Sequence, residues 1–105
     1  MKKVYYLECD SEYACADYLK QDTDDLGYWG WYGTRKSGHE ALIECKNKAK
    51  KQFADRIARE KKNGNTITID LWACEVEDNF DTEEYSIWSV DERQLIESRY
   101  LCGRY

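Results

Sequence analysis

Apolar residues at helical spacing run through the middle of the chain. They recur at steps of three or four positions and comprise Leu42, Cys45, Ala49, Phe53 and Ile57. Ser37 and Glu40 have the spacing of a capping box, in which two side chains satisfy free backbone N–H groups at a helix start. Gly64 can end a helix because glycine adopts positive φ angles without strain. The pattern predicts one long helix over about residues 38–62.

Segments rich in β-branched and aromatic residues predict strands on either side of that helix. Residues 3–9 (KVYYLEC) form the first strand and residues 66–76 (TITIDLWACEV) the longest one. Residues 85–90 (YSIWSV) are predicted to return beside the longest strand as a hairpin. Residues 27–33 (GYWGWYG) combine four aromatic rings, which favour a strand, with three glycines, which weaken one. We therefore predict a short, irregular strand there.

Two shorter helices complete the predicted fold. One follows the first strand and ends near Lys20, with Asp10 or Ser11 as its N-cap. The other is a last helix that carries Leu95, Ile96 and Tyr100. The resulting order, β-α-β-α-β-β-α, predicts a single two-layer α+β domain over residues 1–105, with a mainly antiparallel sheet that the long helix covers on one face. The other face of the sheet is expected to be open to a partner.

The composition is that of a folded protein. Of the 105 residues, 42% are hydrophobic, too many for a disordered chain even though 35% are charged. Five cysteines at irregular spacing do not suggest a disulfide framework, so we expect reduced thiols and a cytoplasmic location. Acidic residues interrupt the N-terminus too early for a signal peptide, and no apolar stretch approaches the length of a membrane span. We therefore expect no contact with a membrane.

Charge is sorted along the chain into three blocks. Residues 1–34 carry three basic and seven acidic side chains, a net charge of −4. Residues 35–64 carry ten basic and four acidic ones, a net charge of +6, and residues 65–105 carry three and ten, a net charge of −7. A basic middle between acidic flanks predicts opposed charged surfaces, and such surfaces favour a charged partner.

The predicted hairpin holds the densest group of carboxylates. These are Glu77, Asp78, Asp81, Glu83 and Glu84, and they have neither the central glycine nor the alternating spacing of a calcium-binding loop. They form either a solvated loop that guards a sheet edge or an acidic surface for a basic partner.

Four aromatic rings within five residues form the second candidate site. They are Tyr28, Trp29, Trp31 and Tyr32, and Asp24 and Asp25 lie just upstream of them. The rings either fill the core or form an interface, where tryptophan and tyrosine dominate binding energy. Because side chains alternate along a strand, we expect at least one ring to face outward.

No catalytic or metal-binding residue is assigned. Cys9, Cys15, His39 and Cys45 are the conceivable soft-metal ligands, but the chain has no closely spaced cysteine pair of the kind that binds zinc. His39 has no recognisable nucleophile turn to serve. We therefore expect no cofactor, and a small enzyme built on histidine and cysteine is the weakest of three functional hypotheses.

The leading hypothesis is a non-enzymatic, acidic module that binds the basic surface of another protein. A nucleic-acid-handling protein typically carries such a surface, which would make this chain an inhibitor or decoy, by analogy with small phage proteins that counter host defence. Homodimerisation is left open.

The alternative is a nucleic-acid or anionic-ligand binder that uses the basic face of the long helix. That face carries Lys46, Lys48, Lys50, Lys51, Arg59, Lys61 and Lys62. The overall isoelectric point of about 4.9 opposes this alternative, because the acidic flanks repel phosphate. We therefore expect no direct contact with nucleic acid.

Overall fold

A four-stranded antiparallel sheet forms the centre of the computed structural model, which describes residues 1–11, 17–87, 90 and 92–103. The elements, in chain order, are β1 (Lys2–Ser11), α1 (Asp17–Asp24), β2 (Gly30–Tyr32), α2 (Arg35–Gln52), α3 (Ala54–Lys62), β3 (Ile67–Val76) and β4 (Gln94–Cys102). The strands lie in the spatial order β2-β1-β3-β4. The predicted small α+β domain with an antiparallel sheet is confirmed.

The main core lies between α2 and one face of the sheet. Alternation along β1 and β3 places Leu7, Ile69 and Leu71 on this face, where each is fully buried or nearly so. α2 contributes the buried residues Ala41, Leu42, Cys45 and Ala49. Gly38 lets the helix approach closely, since a Cβ atom there would come within 2.9 Å of Leu71 Cδ1. The first half of the predicted apolar stripe therefore packs as expected.

The predicted single helix over residues 38–62 is not confirmed, because the segment divides at Phe53. That residue has a non-helical backbone (φ −115°, ψ 27°), although its N–H still donates to Ala49 O at 2.8 Å. α3, which follows, contains no buried residue, and Ile57 is only half-buried. The break turns α3 so that Arg56 forms an ion pair with Asp22 of α1. Of these two helices, only α2 buries its apolar stripe against the sheet.

The start of the long helix also differs from the prediction. α2 begins at Arg35, and Thr34 is its N-cap: Thr34 Oγ1 accepts a hydrogen bond from Ser37 N at 3.1 Å. Ser37 Oγ in turn donates to Thr34 O at 3.0 Å. The capping box predicted for Ser37 and Glu40 is therefore wrong, because Ser37 already lies inside the first turn.

The C-terminal helix predicted around Leu95, Ile96 and Tyr100 is wrong, since these residues belong to β4. The register between β3 and β4 shifts twice, so that Ile96 and Leu101 are extra residues on β4. Such bulges break the simple alternation that identifies a strand and leave apolar spacing that resembles a helix. The predicted order β-α-β-α-β-β is confirmed, but the last of these strands is β4 rather than residues 85–90.

Two further predicted element boundaries differ from those in the structure. Residues 85–87 lie in the connection between β3 and β4 rather than in a strand, and residues 88–89 of the predicted strand lie outside the described residues. α1 extends to Asp24, beyond its predicted end at Lys20, and Thr23 Oγ1 donates to Leu19 O at 2.7 Å inside this helix. Because β1 includes Asp10 and Ser11, neither residue is placed at a helix start.

The thiols of the described part of the chain are buried and unpaired. They belong to Cys9, Cys45, Cys74 and Cys102, while Cys15 lies outside the described residues. Burial raises the pKa of the Cys9 thiol to about 12 and that of the Cys45 thiol to about 11. Both thiols are therefore protonated at neutral pH and act as small apolar groups. None of the described helices is long and apolar enough to cross a bilayer.

Candidate functional site

The connection between β3 and β4 forms an ordered acidic loop, defined here as residues 77–87. Two turns shape it: Phe80 N donates to Glu77 O at 3.0 Å, and Tyr85 N donates to Asp81 O at 3.0 Å. The carboxylate of Asp81 accepts a hydrogen bond from Glu83 N at 2.9 Å, which fixes the second turn. The loop therefore holds its shape through its own backbone and one side chain.

Aromatic side chains fasten the acidic loop to the sheet face opposite α2. The ring of Trp31 meets Tyr6 at 4.9 Å and Phe80 at 5.5 Å, both edge to face, and Phe80 stacks on Tyr85 at 5.2 Å. Trp31 Nε1 donates to Tyr85 O at 3.0 Å. Ile87, which is 3% exposed, packs with Val4, Cys74 and Val76 to form a second core on this face of the sheet. The sheet face predicted to be open is thus partly covered by this loop.

The N-terminus strengthens the same attachment. Lys2 Nζ donates to Phe80 O at 3.1 Å, and the terminal amine lies 3.4 Å from Asp78 Oδ1. Both contacts are exposed, so each adds little stability by itself. Together, these two contacts hold Met1 and Lys2 next to the loop.

Every predicted carboxylate of the loop faces solvent: Glu77, Asp78, Asp81, Glu83 and Glu84 are all exposed. Asp78 meets the terminal amine, and no lysine or arginine of the described residues forms an ion pair with the other four. Their charge is therefore not neutralised within the described part of the chain. This exposure is compatible with both predicted alternatives, a solvated loop and an acidic surface for a basic partner.

A groove borders the loop where it leaves β3. Its volume is about 390 Å³, and its apolar walls come from Met1, Val76, Phe80 and Val90. Glu75, Glu77 and Glu92 line the same groove and are exposed. A groove lined by both apolar side chains and carboxylates is complementary to a lysine or arginine side chain, whose stem is apolar and whose end is cationic.

The four aromatic rings predicted as a second site are separated by the sheet. Trp31 pairs with Tyr6 across β1 and β2 and lies on the loop side. Tyr28, Trp29 and Tyr32 pack instead against the main core beneath α2. All four rings are half-buried, so the expected outward-facing ring is not found. Only Trp31 contributes to the acidic loop.

Asp24 and Asp25 are exposed at the end of α1. Asp25 Oδ1 accepts a hydrogen bond from Gln21 Nε2 at 3.2 Å. Neither carboxylate contacts the described residues of the acidic loop, which lies on the other side of the sheet from the main core.

A pair of carboxylates beside the loop was not predicted. Glu8 and Asp70 are direct neighbours across β1 and β3, on the same face as the loop, and Asp70 is only 4% exposed. Ser98 Oγ donates to Asp70 Oδ1 at 2.6 Å, and Arg93 Nη1 lies 3.4 Å from Glu8 Oε1. The Arg93 guanidinium also lies 4.2 Å above the Trp72 ring. The one sequence signal is Asp70 itself, a charge between the apolar residues Ile69 and Leu71 of β3.

Burial raises the pKa of both carboxyl groups, although Arg93 opposes the shift at Glu8 and Ser98 opposes it at Asp70. The folded protein therefore binds more protons than the unfolded chain at pH values between the ordinary carboxyl pKa of about 4 and the raised pKa of the folded state. Its stability consequently falls as the pH rises through this window. Below the ordinary pKa both states are protonated and the difference disappears.

We expect Asp70→Asn to be more stable than the parent protein at pH 7, because the amide removes a buried charge and can still accept from Ser98. The difference in the free energy of unfolding, measured with urea, should shrink towards pH 4. Asp55→Asn, on the exposed surface of α3, is the control for the same change of side chain and should not be more stable than the parent protein at pH 7. Equal destabilisation of Asp70→Asn at both pH values would contradict this account.

The residues considered for metal binding or catalysis do not converge. Cys9 and Cys45 lie in the main core, whereas His39 is half-buried at the start of α2 and its Nδ1 lies 2.7 Å from Glu97 Oε2. Within the described residues, no three side chains of the histidine, cysteine or carboxylate type are placed to hold a metal ion.

Basic side chains gather on the opposite side of the sheet from the acidic loop. The exposed ones on α2 and α3 are Arg35, Lys36, Lys48, Lys50, Lys51, Arg56, Arg59, Lys61 and Lys62. α2 packs on the face formed by Leu7 and Leu71, while the loop packs on the face formed by Val4 and Cys74. The basic residues of the middle block and the acidic loop of the last block therefore lie on opposite sides of the sheet.

Comparison of the chain with protein-family models, with characterised proteins and with solved structures finds no significant match.

Proposed function

We propose that this chain is a non-enzymatic module that binds a basic surface of another protein through the acidic loop. The observation that carries the proposal is that the carboxylates of Glu77, Glu83 and Glu84 are exposed and have no ion-pair partner among the described residues. Such uncompensated charge attracts a cationic partner and accelerates its association.

The fastening of the loop supports the same function. A flexible acidic loop would have to be ordered on binding, which costs conformational entropy. Here the contacts of Trp31 with Phe80 and Tyr85 O already fix the loop in the free protein. The groove beside the loop is lined by apolar residues and glutamates, so it can accept a lysine or arginine side chain of the partner. The four free, buried thiols support a cytoplasmic location, which we also propose.

Association kinetics test the proposal with an immobilised nona-arginine peptide as the basic probe. We expect the double reversal Glu77→Lys/Glu83→Lys to slow association roughly tenfold at low salt, because both side chains face the partner and have no structural role. Glu40→Lys/Glu44→Lys, on the exposed side of α2, changes the net charge equally and serves as the matched control. Equal slowing by both pairs would mean that only the overall charge matters, and would contradict a binding role for the loop.

The second candidate function is binding of nucleic acid or another anion by the basic side chains of α2 and α3. The observation that favours it is that α3 buries no residue, which leaves Arg59, Lys61 and Lys62 exposed. A gel shift with single-stranded DNA at about physiological salt distinguishes the two candidates, since nonspecific binding depends on phosphate contacts. A shift that Lys51→Glu/Arg59→Glu abolishes would favour this second candidate over the first.

A further inference from the structure

The outer edge of the sheet is formed by β4. This strand pairs with β3 along one side, and no other strand of the described residues pairs with its second side. A strand at the edge of a sheet can pair with a strand from another molecule, which then extends the sheet through backbone hydrogen bonds.

We propose that two copies of this chain pair through β4, antiparallel and with Ser98 at the twofold axis. The sequence around Ser98 is complementary to itself in this register. Glu97 of one copy lies opposite Arg99 of the other, and by symmetry the same pair forms twice. Opposite charges directly across an antiparallel pair stabilise it, whereas like charges destabilise it.

The faces of the sheet are compatible with this register. Glu97 pairs with Leu71 and Arg99 with Ile69, so both charged residues lie on the side of the sheet that packs against α2. An antiparallel extension about an axis perpendicular to the sheet keeps each face on its own side. Glu97 and Arg99 of the two copies therefore lie on the same face of the joined sheet.

The contacts of Arg99 within one chain are weak enough to be exchanged. Its Nη2 atom lies 3.9 Å from Glu97 Oε2, its Nη1 atom donates to Ser98 O at 3.1 Å, and the side chain is 41% exposed. At one end of the strand, Leu95 is 47% exposed. In the dimer, the second copy would cover Leu95, and its Glu97 would give Arg99 a second carboxylate partner.

The proposed dimer would present both acidic loops on one side of an eight-stranded sheet and all the basic helices on the other. Two loops on one rigid assembly would bind a repeated basic surface more tightly than one loop does, because the second contact is intramolecular. The dimer itself does not depend on the proposed function of the loop.

Sedimentation velocity over about 5–500 μM protein at low salt tests the proposal, since a dimer forms by mass action. We expect a reversible dimer for the parent chain. Arg99→Glu should raise its dissociation constant about tenfold or more, because a glutamate then faces Glu97 twice. The exchange Glu97→Arg/Arg99→Glu restores opposite charges and should restore dimerisation. Lys51→Glu, on the exposed side of α2, makes the same charge change as Arg99→Glu and should leave the dimer intact.

Three outcomes would overturn the proposal. The first is that the parent chain stays monomeric at the highest concentration. The second is that its dimer responds equally to Arg99→Glu and Lys51→Glu. In the third case, the exchanged variant would stay monomeric while its circular dichroism spectrum matched that of the parent. Each outcome would show that β4 does not pair with itself in this register.

Discussion

Trp31→Ala is expected to lower the free energy of unfolding by about 3 kcal/mol and to release the acidic loop from the sheet. The indole ring links Tyr6 on β1 to Phe80 on the loop, and its Nε1 atom donates to Tyr85 O. Alanine removes all three contacts and leaves a cavity over the second core. Urea unfolding measures the loss of stability, and hydrogen exchange of the amides of residues 80–87 measures release of the loop.

Trp31→Phe is the matched control for this substitution. It keeps an aromatic ring between Tyr6 and Phe80 but loses the donor to Tyr85 O, so we expect a cost of about 1 kcal/mol. Hydrogen exchange in the loop should then rise only slightly. Unchanged exchange of the loop amides in Trp31→Ala would contradict the role assigned to this ring.

Leu42→Ala is expected to cost about 2–5 kcal/mol, because Leu42 is fully buried between α2 and the sheet. Ile57→Ala, one helix later on α3, should cost about 1 kcal/mol, since Ile57 is only half-buried. The comparison tests whether α2 alone carries the helical side of the core. Equal losses for the two variants, measured by urea unfolding, would instead support one continuous helix with a single buried stripe.

The parts of the fold that could be predicted are those in which local periodicity and burial agree. Ile67, Ile69 and Leu71 alternate onto the helical face, as their spacing predicts, and Leu42, Cys45 and Ala49 form the buried stripe of α2. The same stripe continues to Phe53 and Ile57, but the sequence does not show that the backbone leaves the helical conformation at Phe53. The ion pair of Arg56 with Asp22, which joins α3 to α1, depends on a contact that no local pattern reveals.

β4 was predicted as a helix for a specific physical reason. The extra residues Ile96 and Leu101 interrupt alternation, so that Leu95, Ile96 and Tyr100 have apolar spacing close to one helical turn. Bulges depend on the partner strand, and their position cannot be inferred from one strand alone. The strand assignment therefore needed the pairing with β3.

The candidate site was predictable in composition but not in arrangement. The exposed carboxylates of the loop were recognised from the density of acidic residues after β3. Their attachment to the sheet by Trp31 was not, because the side of β2 on which each ring lies follows from its register with β1. The pairing of Glu8 with Asp70 was missed for the same reason, since these residues lie far apart in sequence and meet only across two strands.

An NMR titration of the isotopically labelled chain with a soluble nona-arginine peptide tests whether the acidic loop is the binding surface. We expect the shifts of backbone amide signals to concentrate in residues 75–87 and to weaken as added salt screens exposed charges. A parallel titration with a single-stranded oligonucleotide of similar charge should leave α2 and α3 unperturbed. Peptide-induced shifts spread evenly over the acidic residues of the chain, or oligonucleotide-induced shifts along α2 and α3, would contradict the assignment of the acidic loop as the binding surface.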